Sequence, residues 1–90
     1  MSGLTTLRDR TMAFLRRRQT AYRMVFSPDN VYTEEVLRDL AKFCRAHEST
    51  FHAEHTVSDR LDGRREVWLR LQQHLRLSDE ELWKRFHGKD

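Results

Sequence analysis

Residues 56–87 read TVSDRLDGRREVWLRLQQHLRLSDEELWKRFH. Val57, Leu61, Trp68, Leu71 and Leu75 recur at helical spacing, so they share one face of a helix predicted over 56–76. Arg64 falls inside that face. Gly63 lies in the helix interior, where glycine costs ~1 kcal/mol relative to alanine; it marks either a kink or a close helix crossing. Leu77 is followed by Ser78-Asp79-Glu80-Glu81, a capping box with Ser78 at N-cap and Glu81 at N3. Leu77 and Leu82 stand where a hydrophobic staple requires them. This start signal predicts a further helix over 78–87, with Glu80–Lys84 and Glu81–Arg85 in i,i+4 register and Gly88 as its stop. Trp83 and Phe86, three apart, can pack back on the body. No stretch alternates as a strand does, so the fold class is all-α.

Upstream, Ser27-Pro28-Asp29-Asn30 is a turn cluster that ends a first helix over 4–26. On that helix Leu4, Leu7, Thr11, Phe14, Leu15, Tyr22 and Val25 form an apolar stripe, with Arg10, Arg16, Arg17 and Arg23 opposite and Arg18 inside the stripe. A second helix is predicted over 33–46. Thr33 suits its N-cap, Glu34 and Glu35 suit the positive end of its dipole, and Val36, Leu37, Leu40, Phe43 and Cys44 form its core face. Residues 47–56 show no helical stripe and read as an ordered loop whose Phe51 plugs the core. The expected architecture is one domain over 1–90: a compact bundle of four helices, with the long basic N-terminal helix packed across a three-helix unit.

The chain has 90 residues, 38% of them hydrophobic and 34% charged, which suits one modest core rather than a deep catalytic cleft. No apolar run approaches the ~18 residues of a membrane span, and no basic-then-apolar leader opens the chain. A single cysteine excludes an internal disulfide framework. Charge is uneven: residues 1–26 hold six Arg against one Asp, residues 27–55 three basic against six acidic. The basic quarter can meet an acidic partner, nucleic acid included, or dock on the acidic second quarter of its own chain.

Cys44, His47, His52 and His55 have a C-x2-H-x4-H-x2-H spacing that tetrahedral zinc could use. Cys44, however, belongs to the core face by phase, where a buried thiol is chemically quiet; the expectation is three solvated loop histidines and no metal or cofactor. Ser49 and Thr50 near His52 resemble a nucleophile and base, but no strand-turn-helix elbow presents them. The carboxylates fall on outer faces or caps, and no glycine-rich loop could cradle a phosphate, so no catalytic residues are assigned. Arg18 and Arg64, on apolar faces, need a partner because an unpaired buried guanidinium is very costly. Asp39 or Glu66 could supply it, or one arginine ends in a partner-binding groove. Arg10, Arg16, Arg17 and Arg23 are the candidate partner-binding residues, for protein or for phosphate. A tight-turn recognition pair and interleaved aromatics, which would specify duplex or single-strand reading, are missing from the pattern.

DLAKFCRAHESTFH (39–52), GRREVWLRLQQHL (63–75) and LSDEELW (77–83) resemble a phage-encoded family of small helical proteins, named after the nineteenth gene product of a Bordetella podovirus. The resemblance spans roughly 22–86, through Asp39-Leu40, Phe43-Cys44-Arg45, Ser49-Thr50-Phe51, Gly63-Arg64-Arg65 and Val67-Trp68-Leu69. It implies a tailed-phage or prophage gene beside packaging and virion-structure genes, with no catalytic residues and no cofactor. In this light Ser49, Thr50 and Arg64 form a structural polar network knitting the loop to the third helix. The expected function is a non-enzymatic phage accessory, in the virion or in its assembly or packaging, acting through an Arg-rich face on a portal or other virion protein. The alternatives are an inhibitor of a host defence enzyme, or a DNA-binding packaging or regulatory module. The expected location is the virion or the host cytoplasm, with no membrane partner; the sequence leaves the oligomeric state open.

Overall fold

A computed structural model of the chain describes residues 6–88. It contains helices α1 (Leu7–Val25), α2 (Thr33–Phe43), α3 (His55–Arg76) and α4 (Asp79–Phe86), with no strand among the described residues. The fold is an all-α bundle in which α1 packs against α3 and α4, and α2 against α3. The expected first turn at Leu4 lies outside the described residues. The α1 start is set by Thr6, whose Oγ1 accepts from Asp9 N–H (3.0 Å) while the Asp9 carboxylate accepts from Thr6 N–H (3.4 Å).

The bundle is flat. Its extents are 59 × 35 × 15 Å and its radius of gyration is 16.6 Å, against ~12 Å for a close-packed chain of this length. Its buried cluster, Leu15, Leu82 and Phe86 with Met12 and Leu77 against it, lies between α1 and α4. Leu82 is fully buried, which contributes roughly 1.5–3 kcal/mol. The α4 capping box forms as its spacing predicts: Ser78 Oγ accepts from Glu81 N–H (3.3 Å), and Glu81 Oε1 accepts from Ser78 N–H (3.0 Å). Glu80 pairs with Lys84 (3.5 Å). Glu81 is committed to its cap, and no ion pair with Arg85 forms among the described residues. Gly88 takes a positive φ of 72°, the stop expected of it.

Several expectations are corrected. The buried side of α1 is Leu15 and Gln19, flanked by half-buried Met12, Tyr22 and Phe26. Leu7, Phe14 and Val25, assigned to the core stripe, are exposed. The helix is turned by roughly 60° from the predicted phase, because a polar residue with a partner can occupy a core position. Gln19 Nε2 donates to Leu77 O at 2.6 Å.

Helix α2 ends at Phe43, not residue 46. Arg45 adopts φ 55°, Arg45 N–H donates to Lys42 O (3.3 Å) and Ala46 N–H to Ala41 O (2.9 Å), a Schellman stop with arginine where glycine is usual. Nor does Thr33 cap this helix: the preceding turn does, with Asn30 O accepting from Thr33 N–H (3.1 Å), while Thr33 Oγ1 donates to Ser27 O (2.8 Å). Only Leu37, Leu40 and Cys44 of its expected core face turn inward; Val36 and Phe43 are exposed.

Phe51, expected to plug the core, is 80% exposed. Its loop is held by hydrogen bonds instead, described below.

Helix α3 runs unbroken through Gly63, and a Cβ built there meets nothing within 4 Å. Gly63 therefore makes neither a kink nor a close crossing. Gly63→Ala should stabilise the fold by ~0.5–1 kcal/mol, read as a raised chemical-denaturation midpoint at unchanged slope. The caps make a pH prediction as well. Hydrogen bonds from Ser78, backbone first and then side chain, hold the Glu81 carboxyl below its ordinary value of 4.5. A depressed carboxyl stabilises the fold above its unfolded value, and that contribution is lost as pH falls through the folded one. Thermal stability should therefore drop on acidification below about 4.5, and Glu81→Gln should flatten that part of the profile.

Candidate functional site

The turned α1 splits the four candidate arginines into two pairs. Arg16 lies at the edge of the buried face and pairs with Asp79 in the first turn of α4 (2.8 Å). Arg23 donates from Nε to Leu75 O (3.2 Å), one of the last carbonyls of α3. Both pin α1 to its neighbours. The Arg16–Asp79 pair is more than half exposed, so it contributes at most ~1 kcal/mol. Arg10 and Arg17 stay on the outer side and form no ion pair among the described residues. Leu7 and Phe14 share that side and are exposed, with the Arg17 guanidinium 5.8 Å from the Phe14 ring centroid. From Leu7 to Arg17 this basic and apolar strip runs ~15 Å along the helix.

Arg18 takes neither Asp39 nor Glu66. Its Nε donates to His74 Nε2 (3.0 Å), and its guanidinium lies 5.3 Å from the ring centroids of both Phe14 and Phe86. His74 is completely buried, stacked on Tyr22 (4.3 Å between centroids) and tilted against Phe86 (4.8 Å). Arginine can only donate and a carbonyl can only accept. Nε2 is therefore the acceptor, and Nδ1 carries the proton given to Arg70 O (2.9 Å). The sequence reading passed over this imidazole. Its signal was present: His74 is three residues after Leu71 and next to Leu75, on the face assigned to the core.

The polar knot at the loop is built from neighbours of the residues expected. Arg65, not Arg64, ties the loop to α3: its Nε donates to Arg45 O (3.2 Å) and its terminal nitrogen to Arg45 O and Glu48 O. These bonds hold the carbonyl of the one described non-glycine residue with positive φ. Ser49 Oγ accepts from Phe51 N–H (3.0 Å), and Thr50 contributes its carbonyl, which accepts from Ser58 Oγ (3.2 Å). Arg64 instead lies over the Phe43 ring, 4.2 Å from its centroid. The reason is phase. Arg65 is one 100° step further round α3, where it meets the carbonyls that follow α2.

The zinc-like spacing does not converge. Cys44 is buried, whereas His52 and His55 are exposed. His52 Nδ1 accepts from Glu54 N–H (3.0 Å), and His55 faces Asp59 (3.4 Å). Among the described residues no three metal-ligating side chains come together. An open groove of about 530 Å³ lies beside α2, lined by Phe26, Pro28, Val31, Leu37 and Trp68 among others. His47 and the Glu34–Arg38 pair (2.8 Å) stand at it. No described helix is long and apolar enough to cross a membrane.

Against known proteins, residues 22–85 match the family model of the Bbp19-like phage proteins. No curated protein and no solved structure matches the chain. The matched span contains α2, α3, the last turn of α1 and all of α4 but Phe86, so Arg23 lies inside it and Arg10, Arg16 and Arg17 lie before it.

The loop knot is directly testable. Arg65→Ala should destabilise the fold by roughly 1–3 kcal/mol and speed amide exchange across residues 45–51, with α3 still protected. Arg64→Ala should change stability by less than ~1 kcal/mol and leave loop exchange unaltered.

Proposed function

The chain belongs to the Bbp19-like phage protein family, and from that premise we propose that it is a phage accessory protein that works by binding a protein partner in virion assembly or packaging, without turning over a substrate. The observation that carries the reading is the outer strip of α1. Arg10 and Arg17 lie there with no carboxylate partner among the described residues, beside exposed Leu7 and Phe14. Guanidinium groups next to exposed apolar side chains are the composition of a protein-binding surface. Arginine and aromatic anchors supply the contact, and an acidic partner surface supplies the opposing charges. Arg16 and Arg23 hold the strip in place and are not part of the contact.

Such a partner would be an acidic surface on a portal or other particle protein, which makes the virion or the infected host's cytoplasm the place of action. The family-matched span supplies the α2–α4 scaffold. The strip precedes it, so partner choice is a property of this chain's own N-terminal helix.

Mass spectrometry of purified particles from an infection should detect the polypeptide. Arg10→Glu with Arg17→Glu should reduce its incorporation by more than tenfold at unchanged helicity and melting temperature. A gel shift on duplex DNA separates the protein partner from nucleic acid. Several phosphate contacts would give binding at ~50 mM salt that weakens by orders of magnitude at ~200 mM, whereas a protein-directed strip gives none at either.

A further inference from the structure

Helix α2 carries a stripe that mirrors the α1 strip in charge. Tyr32, Val36, Asp39 and Phe43 follow one another at helical spacing on its outer side, with Glu35 beside them. Tyr32 is 67% exposed, Val36 45% and Phe43 56%. Glu35 and Asp39 are exposed and form no ion pair among the described residues, unlike Glu34, which is tied to Arg38. Lys42 borders the stripe and the Arg64 guanidinium lies over its Phe43, so the free carboxylates stand on its Glu35 and Asp39 side. The stripe thus combines aromatic and apolar groups with unneutralised carboxylates, where the α1 strip combines them with unneutralised guanidinium groups.

The two cannot be serving each other in one chain. Helix α1 packs on α3 and α4, α2 packs on α3, and no ion pair links α1 to α2 among the described residues. We propose that a second copy of this chain joins them: the Leu7/Arg10/Phe14/Arg17 strip of one copy docks on the Tyr32/Val36/Asp39/Phe43 stripe of the other, with Glu35 and Asp39 meeting Arg10 and Arg17, and a two-fold axis repeats the contact. The proposal rests on the preceding reading of α1 as a contact surface and names its first partner.

Geometry favours the closed pair. The eleven residues of α2 give a contact only ~16 Å long, short of what a specific interface of ~1,200 Å² needs. Two-fold symmetry supplies the contact twice, since each copy offers both surfaces. The flat shape leaves both stripes reachable from outside, and pairing covers apolar side chains that the thin single chain leaves in water.

The test uses sedimentation and light scattering on the full chain. At ~50 mM salt the mass should be twice 10.9 kDa, falling toward one chain at ~500 mM salt as the charges are screened. Two charge-reversed variants follow, one with Arg10→Glu and Arg17→Glu, the other with Glu35→Arg and Asp39→Arg. Each alone sets like charges together at both contacts and should be a monomer with the helicity of the parent. Mixed in equal amounts they should form a heterodimer. There the acidic α1 of the first meets the basic α2 of the second, and the two unaltered surfaces meet on the other side.

A parent chain that stays monomeric at low salt, a variant that still self-associates, a mixture that stays monomeric, or a mass climbing past two chains overturns the pairing. If the mixture stays monomeric while the Arg10/Arg17 variant is still excluded from particles, self-pairing fails and the α1 reading stands. If the mixture pairs while that variant enters particles normally, the pairing stands and the reading of function fails.

Discussion

A neutral imidazole holds three helices of this protein in register. His74 on α3 is completely buried, flanked by the rings of Tyr22 from α1 and Phe86 from α4. Its Nδ1–H is given to Arg70 O and its Nε2 accepts from Arg18 Nε. Because arginine has no acceptor and a carbonyl no proton, only one tautomer fits. A proton added at Nε2 would turn the acceptor into a donor pointing at a cation. This contact decides how α1 lies on the bundle, and with it which arginines face outward.

Polar ties of this kind take over where the core runs short. The apolar cluster between α1 and α4 is small, as expected of a chain this short. Gln19 reaches Leu77 O, Arg23 reaches Leu75 O, and Arg65 reaches the carbonyls of Arg45 and Glu48. Each gives a long side chain to a backbone acceptor at a helix end or loop, where no intrahelical partner exists. The arrangement fixes α1, α3 and α4 firmly and leaves α2 against α3 alone, its outer stripe exposed apart from Arg64 over Phe43. Exposed apolar surface in this molecule is therefore a consequence of thinness: helices too few to cover one another keep amphipathic faces in water.

What could be read from the residues divides by distance along the chain. The Ser78 box, the staple, the Gly88 stop, the all-α class and the bounds of α3 and α4 depend on side chains within four residues of one another, and the structure reproduces them. The Thr6–Asp9 box at the start of α1 is as local, though it lies inside the apolar period rather than ahead of it. By contrast, the phase of α1 depends on Gln19 meeting Leu77 and Arg18 meeting His74, partners more than fifty residues away. An apolar tally assigns such positions to solvent and places Leu7, Phe14 and Val25 in the core. The loop knot was found in the right place with the wrong side chain, since choosing between Arg64 and Arg65 requires knowing where α2 stops.

Sequence alone settled the four helices, the Ser78 cap of α4, the charge division between the first and second quarters, and the family likeness, because each follows from local geometry or from the order of residues. Tertiary structure decided which side of α1 is buried, which two of its four arginines are tied to other helices, and that Cys44 and the loop histidines gather into no metal-ligating group among the described residues. The physical reason is that a buried polar group is stable only with its partner, and in a bundle the partner comes from another helix. Periodicity describes the helix it is read from; it carries no information about the helix that will lie against it.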